Sequence, residues 1–167
     1  MADIVIRPGR AEDIAPLDAL LARSYPRLLA ADYPPSILVT AIPRIVKAQP
    51  ALVTCGTYFV AERDGVLLGA GGWTRGAPGT GLRGASRLGH VRHFATDVDA
   101  VRQGVGTALI GRVFETAAAA GVQALACLST RTAAPFYRHA GFRGDEEVDI
   151  TLDAGITFPA IRMAKAL

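Results

Sequence analysis

The chain has 167 residues, of which half are hydrophobic and a fifth are charged; these proportions fit one folded domain over 1–167 and exclude a disordered chain. Its net charge is only +3 and its basic residues are scattered rather than clustered, so we expect no nucleic-acid partner. Two cysteines are too few for a disulfide framework, and without an apolar run of about 18 residues or a signal peptide we expect no membrane partner and a cytoplasmic location.

The first third of the chain is predicted to be a strand followed by helices. Residues 4–6 are β-branched and are followed by Pro8, which indicates a short strand. Apolar side chains then recur at steps of three and four along 11–24, the period of an amphipathic helix. A second helical stretch follows over 34–50, and Pro43 within it is expected to kink or split the helix.

The middle of the chain has the short period of strands, which are predicted at 57–62, 66–73 and 88–96. An Asp-Gly turn at 64–65 joins the first two strands as a hairpin. Three glycines, Gly69, Gly71 and Gly72, weaken the second strand and indicate a bulge or a close approach of backbone. Residues 76–84 form a glycine-rich loop without periodicity.

The last part of the chain alternates between helices and strands. A helix is predicted at 104–120, a buried strand at 122–128, a short helix at 132–140, and final strands at 147–152 and 158–163. The order β-α-α-β-β-β-α-β-α-β-β indicates an α/β fold with a mixed central sheet and helices on both faces. The helix at 104–120 is expected to connect two neighbouring parallel strands.

A glycine pair marks the start of the long helix. Gly104 and Gly106 let the backbone come close to a ligand, and the first-turn N–H groups have no helical partners. Because the helix dipole also favours negative charge there, the pattern predicts a phosphate or pyrophosphate site. It is not a dinucleotide fingerprint, since Leu109 stands where the third glycine is needed, and it lacks the lysine of a P-loop.

Two segments resemble motifs of the GCN5-related N-acetyltransferase (GNAT) family. Residues 101–106 read VRQGVG and are similar to the family's coenzyme A loop, Q/R-x-x-G-x-G/A, with Val101 in place of the first polar residue. Residues 129–142 read STRTAAPFYRHAGF and are similar to its last helix, in which Pro-Phe-Tyr is followed by Gly-Phe, with Thr132 where asparagine is common. The resemblance implies a mostly antiparallel sheet of the acyl-CoA N-acyltransferase type.

The resemblance also implies an acetyl-CoA-dependent N-acetyltransferase that uses no metal. Transfer to a primary amine of a small molecule or peptide would be direct, in a ternary complex. The residues assigned to the cofactor come from the strand before the loop, the loop and first turn, and the last motif: Phe94, Ala95, Thr96, Arg102, Gln103, Gly104, Val105, Gly106, Thr107, Ala108, Thr132 and Phe136. Tyr137 is assigned as the general acid that protonates the leaving thiolate.

The general base is predicted to be His90 or Glu62. His90 stands where several family members carry a base, and its ordinary pKa of about 6.5 suits the task. The other interpretation of His90 is a surface histidine, and that of Glu62 is a salt-bridge partner in the hairpin. Side-chain alternation predicts that His90, Arg92 and Phe94 share one face of the strand and that His93 points to the other.

The acceptor is less well defined by the sequence. In the family the first helices and a later loop shape its pocket, which here would include Tyr25, Tyr33, Trp73 and the glycine-rich loop. Few acids lie there, which does not favour a polyamine. A group of arginines favours an acceptor that carries a carboxylate, and its members are Arg75, Arg83, Arg87 and Arg92.

Three further predictions concern alternatives and partners. Asp97 is expected to cap the turn after the strand, and Cys127 lies in a predicted core strand, which does not favour a covalent acetyl-cysteine route. The departures at Val101 and Thr132 keep open an alternative, a non-catalytic CoA-binding sensor or regulatory module. A homodimer through the final strands is compatible with the sequence.

Overall fold

The computed structural model describes residues 2–78 and 86–167, and its main elements follow the predicted order. The strands are β1 (Val5–Pro8), β2 (Tyr58–Arg63), β3 (Val66–Thr74), β4 (Leu88–Thr96), β5 (Ala124–Ser129), β6 (Arg143–Thr151) and β7 (Thr157–Ala166). The helices are α1 (Ile14–Leu29), α2 (Pro35–Thr40), α3 (Ile42–Ile45), α4 (Pro50–Val53), α5 (Val105–Ala119) and α6 (Ala134–His139). None of the helices in the described ranges is long and apolar enough to cross a membrane.

The strands of the described residues form one sheet in the order β1-β2-β3-β4-β5-β7-β6. β4 and β5 are parallel and are connected by α5, as predicted, while all the other neighbours are antiparallel. Two apolar cores cover the sheet. The core on the α5 side contains Leu109 and Val113, and the core on the α1 side contains Leu17 and Leu21; all four side chains are fully buried.

Two parallel strands at the centre of the sheet separate partway along their length. The β4–β5 ladder ends at the pair His90 and Ala126, although β4 continues to Thr96 and β5 to Ser129. The unpaired lengths leave a gap between the strands that contains free backbone donors and acceptors. Buried backbone groups of this kind need hydrogen-bond partners, so the gap is suited to a ligand with amide groups of its own.

The ladder between β3 and β4 contains a bulge, as the glycines of β3 predicted. Its register shifts between Ala70 and Gly72, so that Gly71 alone lies opposite two β4 residues, His93 and Phe94. The His93 backbone has a φ of 45°, a conformation that residues other than glycine rarely adopt. A β-carbon at Gly71 would lie 2.1 Å from the Phe94 ring, so the bulge requires glycine at this position.

The bulge overturns one prediction about the β4 side chains. His90, Arg92 and Phe94 do not share a face, because the extra residue breaks the alternation after Arg92. His93 instead follows Arg92 to the α1 side, where its ring lies 6.3 Å from that of Tyr25. Phe94 lies on the α5 side, packed against the core there.

The helices of the first third differ from the predicted ones at their ends. α1 continues to Leu29, past the predicted end at Ser24, and contains Pro26. The lost hydrogen bond at Pro26 is offset by burial, since Leu29 is only 2% exposed. Pro43 does split the second stretch, because α2 ends before it and α3 begins with it in its first turn.

Candidate active site

A cavity of about 520 Å³ lies at the open end of the gap between β4 and β5. Its walls come from the C-terminal half of α1, the end of β4, residues 100–107, the loop after β5, and α6. Tyr25 and Leu29 line it from the α1 side of the sheet, whereas Phe136 and Tyr137 line it from the α5 side. The cavity therefore reaches both faces of the sheet through the gap.

The start of α5 forms an anion-binding cradle on one wall of this cavity. Gly104 is the N-cap of α5 with a φ of 85°, and Arg102 before it has a φ of 61°. The first amide that bonds back into the helix belongs to Ala108, which donates to the Gly104 carbonyl at 3.0 Å. The N–H groups of 105–107 therefore lack helical partners, and the positive end of the helix dipole adds to them.

Gly106 brings the cradle into contact with α6. A β-carbon at Gly106 would lie 2.9 Å from Cε1 of Phe136, so the glycine lets the helix start approach the aromatic wall closely. Phe136 in turn lies 5.9 Å from the Phe94 ring, centroid to centroid. The two sequence motifs are thus joined in space at this contact.

Most residues that the resemblance assigned to the cofactor lie in the cavity wall. They are Phe94, Ala95, Thr96, Arg102, Gly104, Val105, Gly106, Thr107, Thr132 and Phe136. Gln103 and Ala108 lie outside it; the Gln103 side chain accepts a hydrogen bond from Arg63 at 3.1 Å. Sequence reasoning missed Leu28 and Leu29, whose helical spacing from Tyr25 continues the α1 pattern beyond Pro26.

The end of β4 presents backbone groups to the gap. Asp97 donates its N–H to the Leu68 carbonyl of β3 at 2.8 Å, and Ala95 pairs with β3 two residues earlier. Because backbone groups alternate in direction along a strand, those of Phe94 and Thr96 point toward β5 instead. Their N–H groups and the Thr96 carbonyl are placed to bond a chain that lies in the gap, while the Phe94 carbonyl already accepts from the Tyr25 hydroxyl.

Two tyrosines, the buried Tyr58 and the half-buried Tyr25, hold the bulge in place. The Tyr58 hydroxyl donates to the His93 carbonyl at 2.8 Å, and the Tyr25 hydroxyl donates to the Phe94 carbonyl at 3.2 Å. The His93 ring is fixed separately, with Nε2 at 3.0 Å from the Ile45 carbonyl. Since a carbonyl only accepts, Nε2 carries the proton in this contact.

Tyr137 lies at the inner end of the cavity and is only 4% exposed. Its ring packs edge-on against Phe94 and Phe136, with centroid distances of 6.2 and 5.2 Å. Its hydroxyl lies near the Cys127 thiol, and the two groups influence each other's pKa. Burial raises the pKa of Tyr137 well above its ordinary value, so the phenol stays protonated at neutral pH.

Cys127 is an apolar core residue with a thiol that does not ionise readily. Burial raises its pKa to about 12, although the nearby Tyr137 hydroxyl acts in the opposite direction. A thiol with this pKa is a weak nucleophile at neutral pH. The environment of Cys127 thus agrees with the expectation that acetyl transfer does not proceed through an acetyl-cysteine.

His90 lies at the closed end of the gap, in the last residue pair before β4 and β5 separate. The side chain is half-buried and does not line the cavity. Burial, together with the charge of Arg92, lowers the pKa of His90 below its ordinary value of 6.5. The imidazole is therefore neutral at pH 7, which is the form that can accept a proton.

Glu62 and Asp97 are held in ion pairs. Arg7 contacts Glu62 at 3.1 Å and Asp13 at 2.8 Å, which places Glu62 at the β1 edge of β2, outside the cavity. Asp97 accepts from Arg23 and from the N–H of Asp99, which confirms that it caps the turn after β4. The placement of Glu62 does not favour it as the base.

Two of the residues predicted to shape the acceptor pocket, Arg75 and Trp73, have other contacts. Arg75 donates to the carbonyls of Ser86 and Ala120, and Trp73 lies in the α5-side core with its Nε1 bonded to Thr116. Arg83 and most of the predicted 76–84 loop lie outside the described residues. Among the described arginines of this group, Arg92 is buried, whereas Arg87 is exposed.

The loop after α1 is tied to the loop after β5 across one side of the cavity. The Arg131 guanidinium lies over the Tyr33 ring at 4.9 Å, donates to the Asp32 carbonyl, and pairs with Glu147. The Thr132 hydroxyl donates to the Asp32 carboxylate at 2.7 Å. These contacts fix the α1 wall relative to the α6 wall.

Solved structures share this architecture over the whole chain. The GCN5-related N-acetyltransferase from Rhodopseudomonas palustris is 23% identical with a TM-score of 0.81, covering 100% of this chain and 98% of its own. PaiA N-acetyltransferase from Thermoplasma acidophilum, in complex with coenzyme A, is 14% identical with a TM-score of 0.71 and 99% coverage of both chains. N-acetylglutamate synthase from Neisseria gonorrhoeae, complexed with coenzyme A and N-acetyl-glutamate, is 18% identical with a TM-score of 0.63, covering 100% of this chain and 36% of its own.

The fold is therefore that of the acyl-CoA N-acyltransferases, a mostly antiparallel sheet opened between two parallel strands. A family model, described as an acetyltransferase (GNAT) domain, matches residues 54–144, which is more than half of the sequence. No protein of curated function matches the sequence. The chain belongs to the GCN5-related N-acetyltransferase family, as its two motifs predicted.

Proposed function

We propose that residues 1–167 act as one domain that transfers an acetyl group from acetyl-CoA to a primary amine of a small molecule or peptide, directly and in a ternary complex. The observation that carries the proposal is the amide cradle of 104–107 opening into a cavity that continues into the gap beside β4. A pyrophosphate fits the cradle, and an extended arm with amide groups fits the gap. PaiA N-acetyltransferase, which has this fold, is a protein solved with coenzyme A.

The proposed cofactor contacts divide between the two regions. The N–H groups of Val105, Gly106 and Thr107 bind the pyrophosphate, with Arg102 adding positive charge. The backbone groups of Phe94 and Thr96 bond the pantetheine arm in place of the missing β5 partner. Apolar contacts with Phe136 complete the wall, so that the thioester lies beside the bulge.

The proposed chemistry needs a proton acceptor and a proton donor. A neutral amine attacks the thioester carbonyl, the C–N bond forms and the C–S bond breaks. The proton of the amine passes to His90, directly or through water, because its imidazole is neutral at pH 7. The departing thiolate takes a proton from the Tyr137 hydroxyl, which lies in the cavity wall.

The alternative is a CoA-binding module without catalysis. The apolar Val101, which is 40% exposed in the loop, is the departure that supports it. Tyr137 argues against it, because a protonated phenol in the cavity wall is a feature that catalysis needs and binding alone does not.

Isothermal titration with acetyl-CoA and with free CoA tests the cofactor site, and an acetyl-transfer assay with a panel of amines tests the reaction. We expect binding in the micromolar range and turnover of at least one amine class. Absence of binding by either ligand would overturn the proposal. Binding without turnover of any amine would support the non-catalytic alternative.

A further inference from the structure

Arg92 is more buried than Arg7 and Arg23, which are half-buried and exposed, respectively, and are both paired with carboxylates. Arg7 pairs with Asp13 and Glu62, and Arg23 pairs with Asp97. Arg92 is only 7% exposed but forms no ion pair with any described residue. Its one side-chain hydrogen bond to the described part of the chain runs from Nη1 to the neutral Oγ1 of Thr74, at 3.0 Å.

A buried guanidinium with one neutral partner is energetically costly. Taking an ionised group out of water is unfavourable unless an opposite charge or several hydrogen bonds replace the lost solvent. No buried side-chain nitrogen or oxygen of the described residues lacks a hydrogen-bond partner. The remaining Arg92 nitrogens therefore reach solvent, and their N–H groups are available to a ligand that enters.

The position of Arg92 connects it with the proposed reaction. It lies on β4 between His90 and the bulge, and its side chain is on the α1 side of the sheet, because the preceding Val91 packs in the α5-side core. Neither Arg92 nor His90 lines the cavity itself; both lie beside the gap, next to the end of the β4–β5 ladder. In the proposed complex CoA is held by the α5 cradle, and the acceptor approaches the thioester from the α1 side of the gap. Arg92 and His90 lie two residues apart on one face, with Cα atoms about 7 Å apart.

We propose that Arg92 binds the carboxylate of the acceptor, and that this acceptor is a free α-amino acid. The inference rests on the proposed acetyltransferase function. A guanidinium binds a carboxylate through two parallel N–H donors, and the bond is charge-assisted. In an α-amino acid the amine and the carboxylate are attached to the same carbon, so one short stretch of β4 can contact both groups. Arg92 binds the carboxylate, and His90 accepts the proton of the amine.

The first test compares free amino acids with their carboxamides. The wild-type protein is assayed with acetyl-CoA, a panel of L-amino acids, and the same amino acids as α-carboxamides, which keep the amine and lose the negative charge. We expect kcat/KM to be about 10- to 100-fold higher for the acids, the range for a hydrogen bond to a charged group. Equal turnover of acids and carboxamides, or turnover confined to peptides or polyamines, would overturn the inference.

The second test removes the guanidinium. In Arg92→Gln we expect KM for the amino acid to rise about 10- to 100-fold while KM for the carboxamide changes little. Arg92→Lys should restore part of the difference because it retains the charge. Arg143→Gln, which removes an exposed arginine of β6, is the matched control and should behave as wild type.

Stability and cofactor binding separate this role from a structural one. We expect Arg92→Met to melt at the same or a higher temperature than wild type, because it removes an uncompensated buried charge, and to bind acetyl-CoA normally. A melting temperature that falls together with activity on acids and carboxamides alike would show a structural role and contradict the inference. Loss of acetyl-CoA binding in the wild type would instead contradict the proposed function, whereas binding without acetylation of any amino acid would contradict this inference alone.

Discussion

At the residue scale, Tyr137 combines burial with a position in the cavity wall. Burial raises its pKa and keeps the hydroxyl protonated. We expect Tyr137→Phe to lower kcat by about 100-fold or more, the usual contribution of a general acid, because the leaving thiolate loses its proton donor. Steady-state kinetics at saturating acetyl-CoA and acceptor measure this effect.

The control for Tyr137 is cofactor binding. Phenylalanine preserves the ring contacts with Phe94 and Phe136, so acetyl-CoA affinity by titration should change little. A variant that binds acetyl-CoA and keeps the wild-type kcat would show that the thiolate leaves without help from this residue.

His90 gives a prediction about pH. A base must be neutral to act, and the pKa of His90 is lowered from 6.5 by burial and by Arg92. The rate should therefore stay level as pH falls to 6.5, and decline only when pH passes through the lower pKa of the folded protein. In His90→Gln we expect kcat to fall by about 100-fold and the acidic decline to disappear. The test is to measure kcat as a function of pH across the acidic range. If His90→Gln kept the pH profile of the wild type, His90 would not be the base.

At the scale of elements, two glycines of α5 offer a matched pair of substitutions. Gly106 faces Phe136, whereas a β-carbon at Gly111 would meet no atom within 4 Å. Gly106→Val should weaken acetyl-CoA binding by about 10-fold or more, since the new side chain collides with the Phe136 ring and pushes the proposed cradle and the aromatic wall apart. Gly111→Ala should leave the affinity unchanged and stabilise the protein by about 0.5–1 kcal/mol, because alanine is the better helix former. Calorimetric titration measures the acetyl-CoA affinity of each variant, and thermal melting measures its stability. If Gly106→Val bound acetyl-CoA as tightly as Gly111→Ala, the result would argue against the cradle.

The bulge between β3 and β4 is a second element with a measurable role. Gly71→Ala would place a β-carbon 2.1 Å from the Phe94 ring, which must then move. Overpacking of this kind costs about 1–3 kcal/mol. Since Phe94 packs on Tyr137, the displaced ring should also lower kcat. Urea unfolding measures the loss of stability, and steady-state kinetics measure the loss of kcat. If Gly71→Ala were as stable as wild type, the Phe94 ring would be able to move aside at no cost.

At the scale of the whole molecule, His93 links the centre of the sheet to the first helices. Burial lowers its pKa, even though its bond to the Ile45 carbonyl acts the other way. Below pH 6.5 the unfolded chain therefore binds a proton more readily than the folded one. The free energy of unfolding should be at its full value above pH 6.5 and decline as pH falls below it.

Chemical unfolding across the acidic range tests this dependence. His93→Gln should show a weaker decline than wild type, because the titrating group is gone. His139→Gln, on the exposed side of α6, is the matched control. An unchanged dependence in His93→Gln would assign the acid sensitivity to other groups.

Local patterns predicted much of the architecture. β4 has the predicted bounds, Leu88–Thr96, and α5 differs from its predicted range by one residue at each end. The start of β6 at Arg143 was missed, because residues 143–147 are exposed and carry no hydrophobic alternation. Backbone pairing with β7 extends that strand, and such pairing is not visible in the sequence.

In the candidate site, too, the features formed by neighbouring residues could be predicted, and those formed by distant segments could not. The cradle at 104–107 follows from the glycines and the helix start, which are neighbours in the chain. The direction of Phe94 could not be predicted, since it depends on a bulge set by the pairing of β3 with β4. Two other features depend on contacts between distant segments of the chain. Tyr137 lies near Cys127, and no carboxylate among the described residues pairs with Arg92.

The two walls of the cavity come from different parts of the sequence. The family model begins at residue 54, after α4, and the α5-side wall is built from residues within its span. The α1-side wall, with Tyr25, Leu28 and Leu29, is built from residues that precede it. If the proposed function holds, substitutions at Leu28 or Leu29 change the volume offered to the acceptor and leave the proposed pyrophosphate cradle intact. In that case the choice of acceptor can be re-engineered through α1 without rebuilding the residues proposed to bind CoA.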